Sequence, residues 1–164
     1  MNQIVDNIQN PPFCSMIIWR FICGYYQNNS KHTPLPLLFI VLPLALREDI
    51  AQELISTQKG KGLLKFLEKF VNIKNSDKKN DFIVSINSTA IAIKPLTLDA
   101  IRIGISTNLF TLEVNTACCF PLTITAYRHG DGYTQKLLKA TEKFGYWCSD
   151  LTLHEISRLL KVRF

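Results

Sequence analysis

No run of residues in this sequence is long enough and apolar enough to cross a membrane. A helix rises about 1.5 Å per residue and must cover roughly 30 Å of hydrocarbon, which takes about twenty apolar residues. The longest run without a polar side chain, Pro34 to Leu46 within "HTPLPLLFIVLPLAL", stops at 13 residues and holds three prolines. The other apolar stretch, "FCSMIIWRFICGYY" (13–26), carries Arg20 at its middle, and a lone charge there is costly in lipid. The first residues, "MNQIVDNIQN", have neither the basic region nor the early apolar run of a secretory signal. These features lead to the expectation of a cytoplasmic protein that makes no membrane contact.

Residues that carry chemistry are equally sparse. The three histidines (His32, His129, His154) and five cysteines (Cys14, Cys23, Cys118, Cys119, Cys148) never fall at the close paired spacings of zinc motifs. Cys118 and Cys119 are adjacent, which on a strand sends their side chains to opposite faces. An odd cysteine count without a CxxC pair fits thiols in a reducing compartment. "GKG" (60–62) lacks the frame that aims backbone amides and a lysine at phosphates. The nearest nucleophile and base, Cys148 and His154, are six positions apart across a helix start and have no evident orienting group. Glu48, Asp49 and Glu53 cluster at one helix start, where the helix dipole accounts for them. No enzymatic role, cofactor, metal or small-molecule substrate is expected, and a binding role is.

What the chain does have is apolar mass and unevenly placed basic charge. At 164 residues it has the size of one domain, read as a single unit over 1–164 with a helical N-terminal half (1–71), a polar loop (72–81) and a second half (82–164). Hydrophobic residues make up 47% and the mean hydropathy is +0.09, which leaves little polar residue to coat a lone monomer and points to a partner. The net charge is +6; residues 59–81 hold 7 basic and 3 acidic groups, residues 128–164 hold 7 and 4, and the rest is close to neutral. Lys59, Lys61, Lys65 and Lys69 in the first cluster, and Arg158, Lys161 and Arg163 in the second, are candidate contacts for phosphate or for an acidic protein face. A solvated face that keeps the protein soluble is the alternative.

Periodicity places these residues on helices. Asn10-Pro11-Pro12 opens a helix over 12–28, with Asn10 as cap and apolar residues around most of its circumference, so it should be central. The proline-bearing run that follows should be a buried, broken helix, kinked at Pro43. "REDIAQELIST" (47–57) and "GLLKFLEKF" (62–70) read as amphipathic helices, and "NIKNSDKKND" (72–81) as a loop. Phe82, Ile83, Ile86, Ala90 and Ile93 recur at helical spacing, although "AIAI" also fits a strand, and Pro95 should stop either. A helix over 97–109 with Thr97 as cap leads into "LFTLEVNTACCFPLTI", whose β-branched and aromatic residues around "NT" suggest a hairpin. "RHGDG" (128–132) is a break before an amphipathic helix in "YTQKLLKATEKFGYWC", and a last helix starts at Asp150-Leu151-Thr152.

The predicted fold is therefore mainly α with a small β-hairpin, a helical N-terminal half followed by a winged-helix-like C-terminal half. Base reading is not expected of it. The helix at 97–109 offers only Arg102, Ser106, Thr107 and Asn108 as polar groups, where a recognition helix usually displays several Arg, Lys, Asn or Gln residues.

The stretches "NPPFCSMIIWRFICGYY", "PLPLLFIVLPLAL", "KPLTLDAIRIGISTNLFTLE" and "EKFGYWCSDLTLHEISRLLKVRF" together resemble the middle component of three-component ABC systems, a group that includes the small accessory subunit of Lamassu-type bacterial defence. The departure from that pattern is greatest at Val114 to Asp131, where "NTACC" stands in place of a glycine-bearing turn. The resemblance implies a non-catalytic subunit encoded between an effector, often a nuclease, and an SMC-like ATPase. Its implied partners are that ATPase and that effector, which it would help to hold inactive until foreign DNA is sensed, with non-specific DNA contact through the complex as a further expectation. A stand-alone winged-helix DNA-binding regulator is the competing expectation.

Overall fold

The computed structural model describes residues 10–71, 76–125 and 132–164. Helix α1 (Pro11–Asn29) begins where the sequence places it. The Asn10 side-chain oxygen accepts the Phe13 N–H at 3.2 Å, and Pro11 and Pro12 occupy first-turn positions whose N–H groups need no helical partner. Apart from half-buried Met16, every residue from Cys14 to Tyr25 is buried, as an apolar circumference requires. Ser30 closes the helix in the left-handed conformation, φ 52°.

The proline run then takes three conformations in turn. Thr33–Pro34 form strand β1, Leu35–Leu37 a 3-10 turn, and Leu38–Ala45 helix α2. Leu37, Leu38 and all six residues from Ile40 to Ala45 are buried, as expected, but the helix is not broken at Pro43 and runs on to Ala45. Pro43 lies inside α2, where it has no N–H to offer the Phe39 carbonyl.

Helix α3 (Glu48–Ser56) follows Arg47, which pairs with Asp49 at 2.7 Å and donates to Ser85 Oγ. A 3-10 turn at Lys59–Lys61 leads to α4 (Gly62–Val71). Helix α5 (Ser76–Ala92) corrects the loop expected over 72–81, since it begins within that stretch; 72–75 lie outside the described residues. High polarity alone is no loop signal, because lysine is a good helix former.

Helix α6 is Lys94–Ser106, not 97–109. Pro95 starts this helix rather than stopping the one before, and Thr97, instead of capping it, lies inside with its hydroxyl donating to the Ile93 carbonyl at 3.2 Å. Asn108, φ 58°, turns the chain into strand β2 (Phe110–Glu113), which pairs antiparallel with β3 (Cys118–Pro121) in the expected hairpin. No glycine is needed at the turn, because Ala117 takes the left-handed conformation at φ 52°. Strand β1 pairs with the other side of β3, Thr33 opposite Cys119, so the sheet order is β1-β3-β2. Cys119 is buried and Cys118 half-buried, on opposite faces as adjacency demands. All five cysteines are free.

Helix α7 (Gly132–Ser149) is the main packing partner of α1, with α6 on another side. Residues 128–131 of the expected glycine-bearing break lie outside the described residues. Gly24 and Gly145 allow the α1–α7 approach: a Cβ on Gly24 would overlap the Glu142 carbonyl, and one on Gly145 the Phe21 carbonyl. Arg20, buried at this seam, pairs with Glu142 and donates to the Thr125 carbonyl at 3.1 Å. An unpaired charge there would be strongly destabilising. Helix α8 (Leu153–Leu160) opens on a capping box in which Thr152 and Glu155 satisfy each other's backbone N–H groups. The buried residues form a hydrophobic core to which both halves of the chain contribute.

Candidate interaction surface

The seven basic residues singled out in the sequence fall into two groups that the fold treats differently. Three of the lysines in the first group are engaged. Lys65 pairs with Glu68 at 2.6 Å on α4, and Lys69 reaches across to Glu53 on α3 at 2.7 Å and to Ser56 Oγ at 3.1 Å. The Lys69 hydrogen bond holds the Glu53 carboxyl below the usual carboxylate range. Lys59 lies over the Tyr146 ring, 3.8 Å from its centroid, and its carbonyl accepts the Trp147 indole N–H at 2.7 Å. Close by, Lys143 donates to the Thr57 and Ile55 carbonyls, and burial pushes its amine down. These contacts dock the 3-10 turn and the end of α3 onto α7, and α4 onto α3. Lys61 alone of the four forms no ion pair or ring contact among the described residues.

The second group borders a groove. Lys161 and Arg163 lie beside a concavity of about 620 Å³ whose walls come from the 3-10 turn and α2 (Leu35, Pro36, Phe39, Ile40), α5 (Asn87, Ala90, Ile91) and the segment after α8. Lys94, at the start of α6, joins them at the groove. None of these three cations forms an ion pair among the described residues, and no acidic side chain lines the groove. Arg158 is exposed on α8 and is not among the lining residues.

The groove has a defined shape because the chain after α8 is pinned. Lys161 takes the left-handed conformation, φ 48°, and its carbonyl accepts the Asn87 amide at 3.0 Å. Ser157 Oγ donates to the Val162 carbonyl at 2.6 Å. Val162 is buried, while Ile91 is 76% and Phe164 48% exposed. Apolar side chains thus stand open to solvent beside cations that form no ion pair among the described residues.

The residues weighed for chemistry are dispersed. Cys148 is fully buried and desolvation raises its thiol pKa, while His154 is exposed. Burial pushes Cys14 and Cys23 to about 11 and Cys119 to about 12, well away from reactive thiolates. His32 stacks on Phe120, centroids 4.6 Å apart, and His129 lies outside the described residues. Among the described residues no group of His, Cys, Asp and Glu side chains is arranged to hold a metal, and no helix is long and apolar enough to cross a membrane.

Lys94 was not singled out in the sequence, whereas Leu35, Pro36, Phe39 and Ile40 of the groove wall belong to the apolar run Pro34 to Leu46 that was. Lys94 carries only the local signal of a lysine before a proline, because the groove joins segments about fifty residues or more apart.

Fold and surface together define a mainly helical protein with a small three-stranded antiparallel sheet and an apolar, basic-rimmed groove. The chain belongs to the family described as ABC-three component (ABC-3C) system Middle Component 3, whose model matches residues 1–164. No curated protein and no solved structure matches it. A middle component of a multi-component ABC system implies partner subunits.

Proposed function

We propose that this chain is a non-catalytic adaptor, bridging an SMC-like ATPase and an effector such as a nuclease, and helping to keep the effector inactive until foreign DNA is sensed. A cytoplasmic bacterial defence assembly of the Lamassu type is the setting this reading gives it. The observation that carries the proposal is the open apolar groove beside Lys94, Lys161 and Arg163, which form no ion pair among the described residues, a surface whose cost to a lone monomer is offset when a partner covers it. Co-expression with the other two subunits should give a stable ternary complex in which the effector is silent, and removal of this chain should release effector activity or dissolve the complex. A monodisperse protein that ignores both partners would sink the proposal.

A second reading, a winged-helix DNA-binding regulator, draws on the connectivity. Helix α1, strand β1, helix α2, then α6, β2 and β3, with sheet order β1-β3-β2, follow the order of a winged helix into which α3 to α5 are inserted. The polar groups of α6 argue against base readout: Arg102 pairs with Asp99 at 3.2 Å, and the Ser106 and Thr107 hydroxyls donate to the Ile103 carbonyl. Sequence-selective duplex binding in moderate salt by the isolated chain would favour this reading; weak, salt-labile binding would favour the adaptor.

A further inference from the structure

We infer that the groove between α2, α5 and the chain after α8 receives an amphipathic helical segment of a partner subunit, with apolar residues seated in the groove and Asp or Glu residues facing Lys94, Lys161 and Arg163. This inference rests on the adaptor reading and adds the chemistry of the segment bound.

Three observations select this occupant. First, the side-chain charge is one-sided, with three cations that form no ion pair among the described residues and no acidic side chain among the lining residues, so a basic or neutral segment would leave the rim uncompensated and an acidic one would be steered to it. Second, Ile91 is 76% exposed and Phe164 48%, so the site is an open trough. Small-molecule sites typically enclose most of their ligand, whereas this geometry suits side chains delivered from one side. Third, no strand is among the lining residues. They are helical apart from the segment after α8; Pro36 has no N–H, and the Leu35 N–H is already given to the Ala117 carbonyl at 2.9 Å. A segment docking here must satisfy its own backbone, which a helix does and an added strand does not. A second copy of this chain fits poorly, since its net charge of +6 opposes the basic rim.

The test uses the full chain co-expressed with its two partner subunits, with the photo-crosslinking residue p-benzoylphenylalanine in place of Ile91. That position is exposed, so folding should be preserved. The expected product joins this chain to one partner segment with apolar residues at i, i+3, i+4 and i+7 and acidic residues between them. Crosslinks to a second copy of this chain, to nucleic acid or to a segment without acidic residues would overturn the inference, and so would an intact complex with no crosslink from Ile91. Failure of any complex to assemble would instead remove the adaptor reading, and this inference with it.

A second arm reads the charge. Lys94→Glu, Lys161→Glu and Arg163→Glu combined should reduce recovery of the complex at least tenfold, and reversing the acidic residues of the crosslinked segment to lysine should restore it. Lys61→Glu, away from the groove, is the control. Unchanged recovery with the triple variant, or a loss that the reversed segment does not rescue, would defeat the inference.

Discussion

Lys59, Lys65 and Lys69 each meet an aromatic ring or a carboxylate, whereas Lys94, Lys161 and Arg163 border an apolar groove without an ion pair among the described residues. The two regions look alike as charge along a sequence and differ in how that charge is used. In the first, cations hold a 3-10 turn and α4 against α3 and α7. In the second, backbone and apolar contacts pin the chain and leave the cations to the surface. Arg20, buried and paired with Glu142, is the extreme of the first kind. The more a cation is committed inside the fold, the more its loss should cost stability and the less it should alter binding.

That ordering can be broken at any of four points. The largest effect is expected from Glu142→Ala, which strands the Arg20 guanidinium in the core and should cost about 3–5 kcal/mol in denaturant unfolding. A loss below about 1 kcal/mol would mean that the Thr125 carbonyl suffices. Lys69→Ala should cost about 0.2–1 kcal/mol, as both partners of the Glu53 pair are partly exposed. The triple rim variant at Lys94, Lys161 and Arg163 should stay within about 0.5 kcal/mol of the parent in the same assay; clear destabilisation would show that these cations serve the fold after all.

The smallest effect concerns acid. Hydrogen bonds from Arg47 to Asp49 and from Lys69 to Glu53 lower both carboxyl pKa values in the folded state. Their contribution is complete above the unfolded values of about 3.9 and 4.3 and is lost as pH falls through the lower folded values. Glu53→Gln should therefore narrow the stability difference between pH 6 and pH 3, which unfolding at the two pH values measures. The rim variant should leave that difference unchanged.

Much of the architecture could be read from local pattern. The start of α1 followed from Asn10 and two prolines, and the hairpin from the change to β-branched and aromatic residues. The capped start of α8 followed from Asp150-Leu151-Thr152. Such features depend on residues within a turn or two of each other, where capping and periodicity act. The register of α6 was missed because a proline after an apolar run marks a helix end as readily as a helix start. Strand β1 was missed because two residues in a proline-bearing run carry no alternation, and their pairing with Cys118 and Cys119 lies some 85 positions away. Of the seven candidate basic residues, two border the groove, and Lys94 was not foreseen.

By itself, the sequence determined most of the helical segments, that α1 must be central, and that no apolar run could span a bilayer. Each follows from composition or short-range periodicity, which desolvation and backbone hydrogen bonding convert directly into local structure. Only the tertiary structure decided which cations are spent. Whether a lysine meets Glu53, the face of Tyr146 or open solvent depends on how α3, α4, α7 and the chain after α8 come to rest, and charge interactions fall off over a few ångströms of space rather than over positions in a chain.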